Sequence, residues 1–257
     1  MLRLLGWLFG FGLFIGLIGL VVAGVYLNNV SADLPDYTVL KDYQPPVTTR
    51  VHAADGSLIA EYARERRLFQ PVETIPPIVI QAFISAEDKN FYTHGGIAFD
   101  GVVRALRDNI LARASGDDAI QGGGSTITQQ VAKNFLLSSE QTWDRKIKEA
   151  LLSFRIEETF SKDKILELYL NEIFLGLNSY GVAAAALNYF DKALYELSTS
   201  EAAYLAALPK GPNNYHPFRR PKQAIERRNW VLDRMAENGY ITTEQAEQAK
   251  KDSLNVV

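Results

Sequence analysis

Two carboxylates, a lysine, a histidine and two aromatic residues lie together in segment 86–96. An apolar run over residues 78–84 leads into this segment, so Glu87 is expected at the end of an apolar helix. Desolvation there raises the pKa of a carboxyl group and suits it to general acid or base catalysis near neutral pH. A charged helix end followed by a glycine stop explains the same residues equally well.

A second segment that could bind a substrate begins at three consecutive glycines, residues 122–124. A helix is expected to start directly after them, at Ser125. Free backbone N–H groups at a helix start attract anions, and glycine lets a ligand approach the backbone. On such a helix one polar face would carry Thr126, Gln130, Lys133 and Asn134. A flexible loop followed by an ordinary solvated helix face is the alternative interpretation.

A third segment is a helix predicted from about 142 to 160, apolar nearly all round and therefore central. It carries Arg145 and Glu149, spaced i,i+4, on the same face as Leu152 and Ile156. A surface ion pair of this spacing contributes only about 0.2–0.5 kcal/mol, and the basic-before-acidic order is the weaker one. An arginine and a carboxylate on a central helix therefore suggest a function.

Two later segments are less specific. Residues 161–172 predict a core helix on which Tyr169 and Asn171 make structural hydrogen bonds. Residues 208–217 form a proline-rich loop that contains Lys210 and predicts only an ordered loop.

The elements that position these residues are mainly helical. Asp55-Gly56, between β-prone residues, predicts one hairpin. Helices are expected at 77–88, at 100–114 and from residue 161 to near Gly176, and capping boxes at Ser198 and Thr242 begin later ones. There is no βαβ alternation and no internal repeat. We therefore expect a mainly α fold with a small β-hairpin element.

The N-terminus is predicted to cross a membrane. No charged residue occurs over residues 4–27, a run long enough to span a bilayer. Arg3 precedes the span, and Asp33 and Asp36 follow it, so the positive-inside rule places residues 1–3 in the cytoplasm and everything after Leu27 outside. GxxxG spacings within the span predict a helix-packing face, although glycine is also common in membrane helices.

Composition excludes few function classes. Hydrophobic residues make up 47% of the chain, which is enough for a buried core. With 27 basic and 30 acidic residues, nothing in the bulk charge indicates a nucleic-acid partner. The absence of cysteine rules out a disulfide framework and thiolate metal ligands.

Taken together and in this order, the segments resemble the peptidoglycan glycosyltransferase domain of class A penicillin-binding proteins, glycosyltransferase family 51. The family's five motifs are matched by residues 87–96, 124–130, 145–149, 164–171 and 210–217, and the match covers nearly all of 50–250. The resemblance implies a lysozyme-like helical lobe and a smaller, membrane-facing lobe with a cleft between them.

The resemblance also implies a reaction: polymerisation of lipid II into β-1,4-linked glycan with inversion and release of undecaprenyl pyrophosphate. It makes Glu87 the general base and places Glu149 on the donor side, where a magnesium or manganese ion could act through it. It implies no organic cofactor. The residues it places around the sugars and pyrophosphate are Thr126, Gln130, Lys133, Asn134, Arg145 and Lys210, with His94 supporting the Glu87 loop.

The expected organisation is a cytoplasmic tail (1–3), a membrane anchor (4–27), a linker (28–48) and a glycosyltransferase domain (49–250) on the periplasmic side of the bacterial inner membrane. The sequence lacks the motifs of a transpeptidase domain, so it is either a piece of a bifunctional enzyme or a monofunctional glycosyltransferase. Residues 251–257 resemble the start of a connection to a transpeptidase domain, which favours the first alternative. The expected partners are lipid II, the growing lipid-linked chain, the membrane and, through the membrane helix, other cell-wall synthesis proteins.

Two rival functions remain at this point. A lysozyme-like lytic enzyme would also use a glutamate in a helical cleft, but would cleave glycan. Hydrolysis of a polymer, however, has no pyrophosphate for Lys133 and Arg145 to neutralise. A membrane-anchored scaffold that has lost its chemistry is disfavoured because Glu87, Lys133, Arg145 and Glu149 are all present.

Overall fold

Helices dominate the computed structural model, which describes residues 2–43, 49–55, 58–62, 66–98, 101, 124–138, 140 and 142–257. The α-helices are α1 (Leu2–Ala32), α2 (Pro77–Glu87), α3 (Ile127–Leu136), α4 (Trp143–Thr159), α5 (Lys162–Glu172), α6 (Val182–Phe190), α7 (Thr199–Ala207), α8 (Pro221–Glu237) and α9 (Thr243–Lys250). The strands are β1 (Thr49–His52), β2 (Leu58–Tyr62), β3 (Arg66–Arg67) and β4 (Ser179–Tyr180), and short 3-10 helices cover Tyr37–Leu40, Val72–Thr74 and Leu194–Glu196. The prediction of a mainly α fold with a small β element is confirmed.

The β structure consists of two small pairs. β1 and β2 are antiparallel, with Val51 opposite Ala60, which confirms the predicted hairpin. β3 pairs in parallel with β4, with Arg66 opposite Ser179. This second pairing was not predicted, because two-residue strands carry too little alternation to be recognised in a sequence.

Local capping signals placed several helix starts correctly. Ser161 accepts a hydrogen bond from the backbone N–H of Lys164 and begins α5. The capping boxes at Ser198 and Thr242 begin α7 and α9. α2 has proline in its first turn, as the sequence indicated, and ends at Glu87, one residue before the predicted end at 88.

Two helix bounds differ from the sequence prediction. α3 begins at Ile127 rather than Ser125, because Thr126 forms the capping box with Gln129. α5 ends at Glu172, well before Gly176, since the chain turns there toward β4. Of the helix predicted over 100–114 only Gly101 is described; its remainder, like Gly122 and Gly123, lies outside the described residues.

α4 is less buried than its composition suggested. Its buried residues are Glu149, Leu152, Ser153 and Ile156, which form a single stripe. Phe154 is 40% exposed, so the expectation of a helix apolar and buried nearly all round was wrong. The predicted common face of Glu149, Leu152 and Ile156 is confirmed by this stripe.

The core holds α2 in place. Val79, Ala82 and Phe83 of α2 are fully buried, and the helix packs against α7 and α8. Small side chains such as Ala202 and Ala206 on α7 are also fully buried and allow close approach. α3 packs against α4 and α5. The end of α2, and with it Glu87, is therefore carried by a rigid, buried element.

α1 includes a stretch of 24 residues, Phe9–Ala32, that is long and apolar enough to cross a membrane. The side chains of residues 9–29 are exposed, and Val30 is buried. The predicted span 4–27 lies within α1, but the helix continues through residues 28–32, which the sequence had assigned to the linker. The C-terminal end of α1 packs against α4.

Candidate active site

Glu87 is the last residue of α2, and its carboxylate lies against the first turn of α3. The side-chain Nε2 of Gln130 donates a hydrogen bond of 2.8 Å to Glu87 Oε2. Two predicted site residues from separate sequence segments are thus joined by a direct contact. It holds the carboxylate at a defined position at the end of a buried helix.

Burial is the largest influence on the pKa of Glu87. Burial raises the pKa of this carboxyl group above its usual value. The hydrogen bond from Gln130 and the positive charges of Arg227, Lys133 and Lys210 act in the opposite direction without cancelling the effect of burial. A carboxyl group tuned upward in this way is suited to exchange a proton near neutral pH.

A cavity of about 600 Å³ opens beside Glu87. Its lining includes the cations Lys133, Lys210 and Arg227. Further lining residues are Ser85, Ala86, Asp88, Lys89, Ser125, Gln130, Pro209, Trp230, Arg234, Glu237 and Asn238. A base therefore shares one concave site with several positive charges, which is the arrangement expected for an anionic substrate.

Lys133 links the two predicted catalytic carboxylates electrostatically. Burial lowers the pKa of its ammonium group, while the negative charges of Glu149 and Glu87 oppose that decrease. Burial also lowers the pKa of Lys210, and the negative charge of Glu87 again opposes that decrease. Partly desolvated cations interact more strongly with an incoming anion than fully hydrated ones do.

Glu149 is only 2% exposed and forms an ion pair with Lys146, one turn away, rather than with Arg145. Lys146 also donates a 2.9 Å hydrogen bond to Ser125 Oγ, and Ser125 lines the Glu87 cavity. Glu149 itself does not line the cavity, but its contact with Lys146 connects it to Ser125 at the cavity edge. The i,i+4 pair of Arg145 with Glu149, considered from the sequence, is replaced by this i,i+3 pair.

The residues around Glu149 do not form a prearranged cation site. Within the described residues there is no group of three or more histidine, cysteine or acidic side chains placed to hold a metal ion. The ammonium of Lys146 lies against the Glu149 carboxylate, where a metal ion would bind.

Asp88 and His94 brace the loop after Glu87. The backbone N–H of Gly96 donates to His94 Nδ1 over 3.1 Å, so the ring proton is on Nε2, which donates to Asp88 Oδ2 over 2.8 Å. The same Asp88 oxygen accepts a 2.9 Å hydrogen bond from the backbone N–H of Ile127. His94 therefore contacts the loop, in the supporting position that the sequence suggested, and does not line the cavity.

Thr126 and Gly96 complete this brace. Thr126 is buried and its hydroxyl donates a 2.6 Å hydrogen bond to the carbonyl of Gly96. Gly96 has φ of 99°, and a Cβ there would lie 2.8 Å from the Ser153 carbonyl oxygen. The Glu87 loop can pack on α4 this closely only because Gly96 has no side chain.

The fourth motif holds the segment before α2. Asn171 accepts from the backbone N–H of Gln70 and donates to its carbonyl, each over 2.8 Å. Glu167 accepts from the backbone N–H of Val72. The structural role expected for Asn171 is confirmed, but that for Tyr169 was wrong, since its buried hydroxyl has no hydrogen-bond partner among the described residues.

Besides Thr126 and His94, which brace the loop, two more predicted binding residues lie outside the Glu87 cavity. Arg145 lines a second cavity of about 510 Å³ between the end of α1 and the start of α4. Its buried Nε has no hydrogen-bond partner within the described ranges. Asn134 is exposed and lines neither cavity. The structure thus brings Gln130, Lys133 and Lys210 to Glu87 but leaves Arg145 and Asn134 apart.

Sequence reasoning missed Arg227 and Trp230, which line the cavity opposite α3. The guanidinium of Arg227 stacks on the Trp230 ring, 3.7 Å from its centroid. Its buried Nε has no hydrogen-bond partner in the described part of the chain. The sequence feature that could have identified these two residues is their i,i+3 spacing, which brings an arginine and a tryptophan together on one face of a helix.

Comparison with known proteins gives one consistent result. A family model described as Transglycosylase matches residues 55–236. Penicillin-binding protein 1A of Rickettsia conorii (strain ATCC VR-613 / Malish 7) is 48% identical over 236 residues, covering 92% of this chain and 30% of that protein. Penicillin-binding protein 1A of Aquifex aeolicus (strain VF5) is 48% identical over 249 residues, covering 95% and 34%.

A crystal structure of Penicillin-Binding Protein 1A from Haemophilus influenzae is 28% identical and covers 84% of this chain and 22% of that chain, with a TM-score of 0.48. The chain spans between 30% and 34% of the two curated relatives above. By the family match over residues 55–236, the chain belongs to the transglycosylase family of peptidoglycan glycosyltransferases and corresponds to that domain of class A penicillin-binding proteins.

Proposed function

We propose that this chain polymerises lipid II into β-1,4-linked glycan strands, with Glu87 as the general base. One observation carries the proposal: a carboxyl group with a raised pKa faces the same cavity as Lys133, Lys210 and Arg227. A base alone suits many reactions. A base surrounded by cations suits one in which a hydroxyl group attacks and a diphosphate leaves.

In the proposed reaction Glu87 accepts the proton of the 4-hydroxyl group of the acceptor sugar. The resulting oxygen nucleophile forms a bond to the anomeric carbon of the donor sugar. The bond from that carbon to the diphosphate oxygen breaks, and its electron pair leaves with undecaprenyl pyrophosphate. Attack opposite the leaving group converts the α-linked donor into a β-1,4 product.

The cations of the cavity stabilise the departing charge. The negative charges of Glu87 and Glu149 both act on the pKa of the Lys133 ammonium group, which supports a role for Lys133 at the diphosphate. Charge-assisted hydrogen bonds from such groups to phosphate oxygens are about twice as strong as neutral ones. Because burial has already removed part of their hydration, less reorganisation is needed as the diphosphate leaves.

Glu149 supports the donor side in this proposal. Its carboxylate orients the ammonium of Lys146 toward Ser125 at the cavity edge. A magnesium or manganese ion acting at Glu149, which the family resemblance allows, would have to displace that ammonium group. Competition between the ion and Lys146 therefore makes the metal proposal testable.

The lytic alternative uses the same glutamate differently. A lytic enzyme needs a protonated acid to assist cleavage of a glycosidic bond. The raised pKa of Glu87 is compatible with that role, but the cationic lining is not required by it. The grouping of Lys133, Lys210 and Arg227 around the carboxylate therefore favours transfer from a diphosphate donor.

We further infer that α1 anchors the enzyme in the inner membrane, with the N-terminus in the cytoplasm and residues after α1 on the periplasmic side. Gly12 and Gly16 are spaced i,i+4 and therefore lie on one face of α1, which we infer packs against another membrane helix of a cell-wall synthesis protein. Since the chain has no cysteine, Asn255→Cys gives a single label site. Labelling by a membrane-impermeant maleimide in intact spheroplasts is expected; labelling only after lysis would refute this orientation.

The central experiment measures lipid II polymerisation in detergent and, separately, shortening of finished glycan. Glu87→Gln should lower the polymerisation rate by about a hundredfold or more. The same chemical change at exposed Glu73 is the matched control and should have no effect. Full activity of Glu87→Gln would refute the base assignment, and glycan shortening without chain growth would establish the lytic alternative.

A further inference from the structure

Trp230 places an aromatic ring in the wall of the Glu87 cavity. The residue is 37% exposed, although the guanidinium of Arg227 lies 3.7 Å from the centroid of its ring. A second guanidinium, that of Arg234, lies 5.6 Å from the same centroid. Two arginines, three residues before the ring and four after it, thus fix the orientation of a ring that remains open to the cavity.

The wall around this ring carries planar polar groups. Arg234, Glu237 and Asn238 follow Trp230 along α8 and at its C-cap, and all three line the cavity. Glu237 is exposed and forms an ion pair with Arg234. Guanidinium, carboxylate and amide groups can donate to or accept from hydroxyl groups, whereas an aromatic ring packs against apolar C–H groups. This combination fits a sugar ring, whose faces are apolar and whose rim carries hydroxyl groups.

The α8 wall extends beyond the reacting centre. Arg227 marks its near end, because the charge of this residue acts on the pKa of Glu87. At about 1.5 Å per residue, Trp230 lies about 4.5 Å beyond Arg227 along α8, and Asn238 about 16 Å beyond it. The cavity volume of about 600 Å³ likewise exceeds what the single sugar at Glu87 needs. Trp230 is therefore placed beside the reacting sugar or its immediate neighbour.

Glu87 lies between this wall and the donor side of the cavity. Gln130 on α3 donates to the Glu87 carboxylate, and α2, which ends at Glu87, packs against α8. Lys146 and Ser125, which the proposed function assigns to the donor side, meet at the α3 edge of the cavity. A sugar held against α8 thus approaches from the side opposite the donor. An inverting displacement requires the attacking hydroxyl group to come from that side.

We propose that Trp230 is a substrate-binding residue that stacks on a sugar ring of the acceptor and holds its 4-hydroxyl group at Glu87. The proposal rests on the glycosyl transfer proposed above and names a residue that selects the acceptor. The ring contacts the sugar but exchanges no proton. Loss of the ring therefore weakens acceptor binding and leaves the titration of the base unchanged.

Two analogues separate the acceptor from the donor. The disaccharide of lipid II without its lipid diphosphate has no leaving group and can act only as the acceptor. Lipid II with a 4-deoxy terminal sugar has no attacking hydroxyl group and can act only as the donor. Coupling of these two substrates by the full chain in detergent gives a single product, so KM can be measured for each substrate separately.

Trp230→Leu should raise KM for the acceptor several-fold and leave both KM for the donor and the acid limb of the pH–rate profile unchanged. Trp230→Phe keeps an aromatic ring and should restore the acceptor KM. The matched control is Tyr195→Leu, because Tyr195 is an exposed aromatic residue that lines neither cavity. An unchanged acceptor KM, or a rise in the donor KM instead, would overturn the proposal. A shifted acid limb would also overturn it, since Trp230 would then act only by positioning Arg227.

Fluorescence gives a second readout that needs no turnover. Trp7→Phe and Trp143→Phe together leave Trp230 as the only tryptophan of the full chain. The acceptor disaccharide should protect Trp230 from quenching by acrylamide in a saturable manner. Polymerisation of lipid II without such protection would overturn the role of Trp230 alone. Protection without polymerisation would refute the proposed function and leave the sugar site standing, and the absence of both would refute the two proposals together.

Discussion

Gln130 and Glu87 are joined by a hydrogen bond of 2.8 Å that connects α3 to the end of α2. Burial and this single amide act in opposite directions on the carboxyl group, since burial raises its pKa and the Gln130 hydrogen bond lowers it. The reactivity of the proposed base is therefore set by two elements that lie far apart in the sequence.

The first prediction concerns the opposite effects of burial and of the Gln130 hydrogen bond on the pKa of Glu87. Gln130→Leu removes the hydrogen bond and should raise the pKa of Glu87 further. Because a general base acts only when deprotonated, the acid limb of the pH–rate profile should move to higher pH. The control is Gln248→Leu, an exposed glutamine on α9. An unchanged acid limb in Gln130→Leu would contradict the proposed role of Glu87.

The second prediction concerns Arg227, whose charge also lowers the pKa of Glu87. Arg227→Gln should move the acid limb to higher pH and raise KM for lipid II. Arg227→Lys keeps the charge but loses the planar stacking on Trp230, so it should raise KM with little movement of the acid limb. Arg219→Gln, an exposed change of the same kind, is the control. Identical profiles for both Arg227 variants would show that the charge does not act on Glu87.

The third prediction tests the close approach of the Glu87 loop to α4. Gly96→Ala places a Cβ 2.8 Å from the carbonyl oxygen of Ser153 at a φ of 99°. We expect a loss of about 1–3 kcal/mol in the free energy of unfolding, measured by urea denaturation, together with reduced kcat. Gly95→Ala is the matched control, because a Cβ there would meet no atom within 4 Å. Equal stability of the two variants would show that the loop does not need this approach.

The fourth prediction addresses the metal proposal. Lys146→Met leaves the buried Glu149 carboxylate without its ammonium partner. Because a cation would no longer compete with Lys146, the magnesium concentration for half-maximal polymerisation should fall. The measurement is a magnesium titration after chelator treatment, with exposed Lys222→Met as the control. The same magnesium dependence in both variants would mean that no ion acts at Glu149.

The sequence by itself determined the elements whose signals are local. The proline at the start of α2, the cap at Ser161 and the capping boxes at Ser198 and Thr242 act within one helical turn, so they were recognised without knowledge of the fold. The position of Glu87 at a helix end followed from the same reasoning. The order of the five motifs then indicated the family, which the comparisons confirmed.

Only the tertiary structure decided what surrounds Glu87. Arg227 and Trp230 join the cavity because α8 packs against α2, a contact between distant segments that no periodic pattern encodes. Lys146 rather than Arg145 pairs with Glu149, because the contact depends on side-chain direction and burial and not on spacing alone. Spacing along the chain thus supplied the candidate residues, and long-range packing selected which of them share a site.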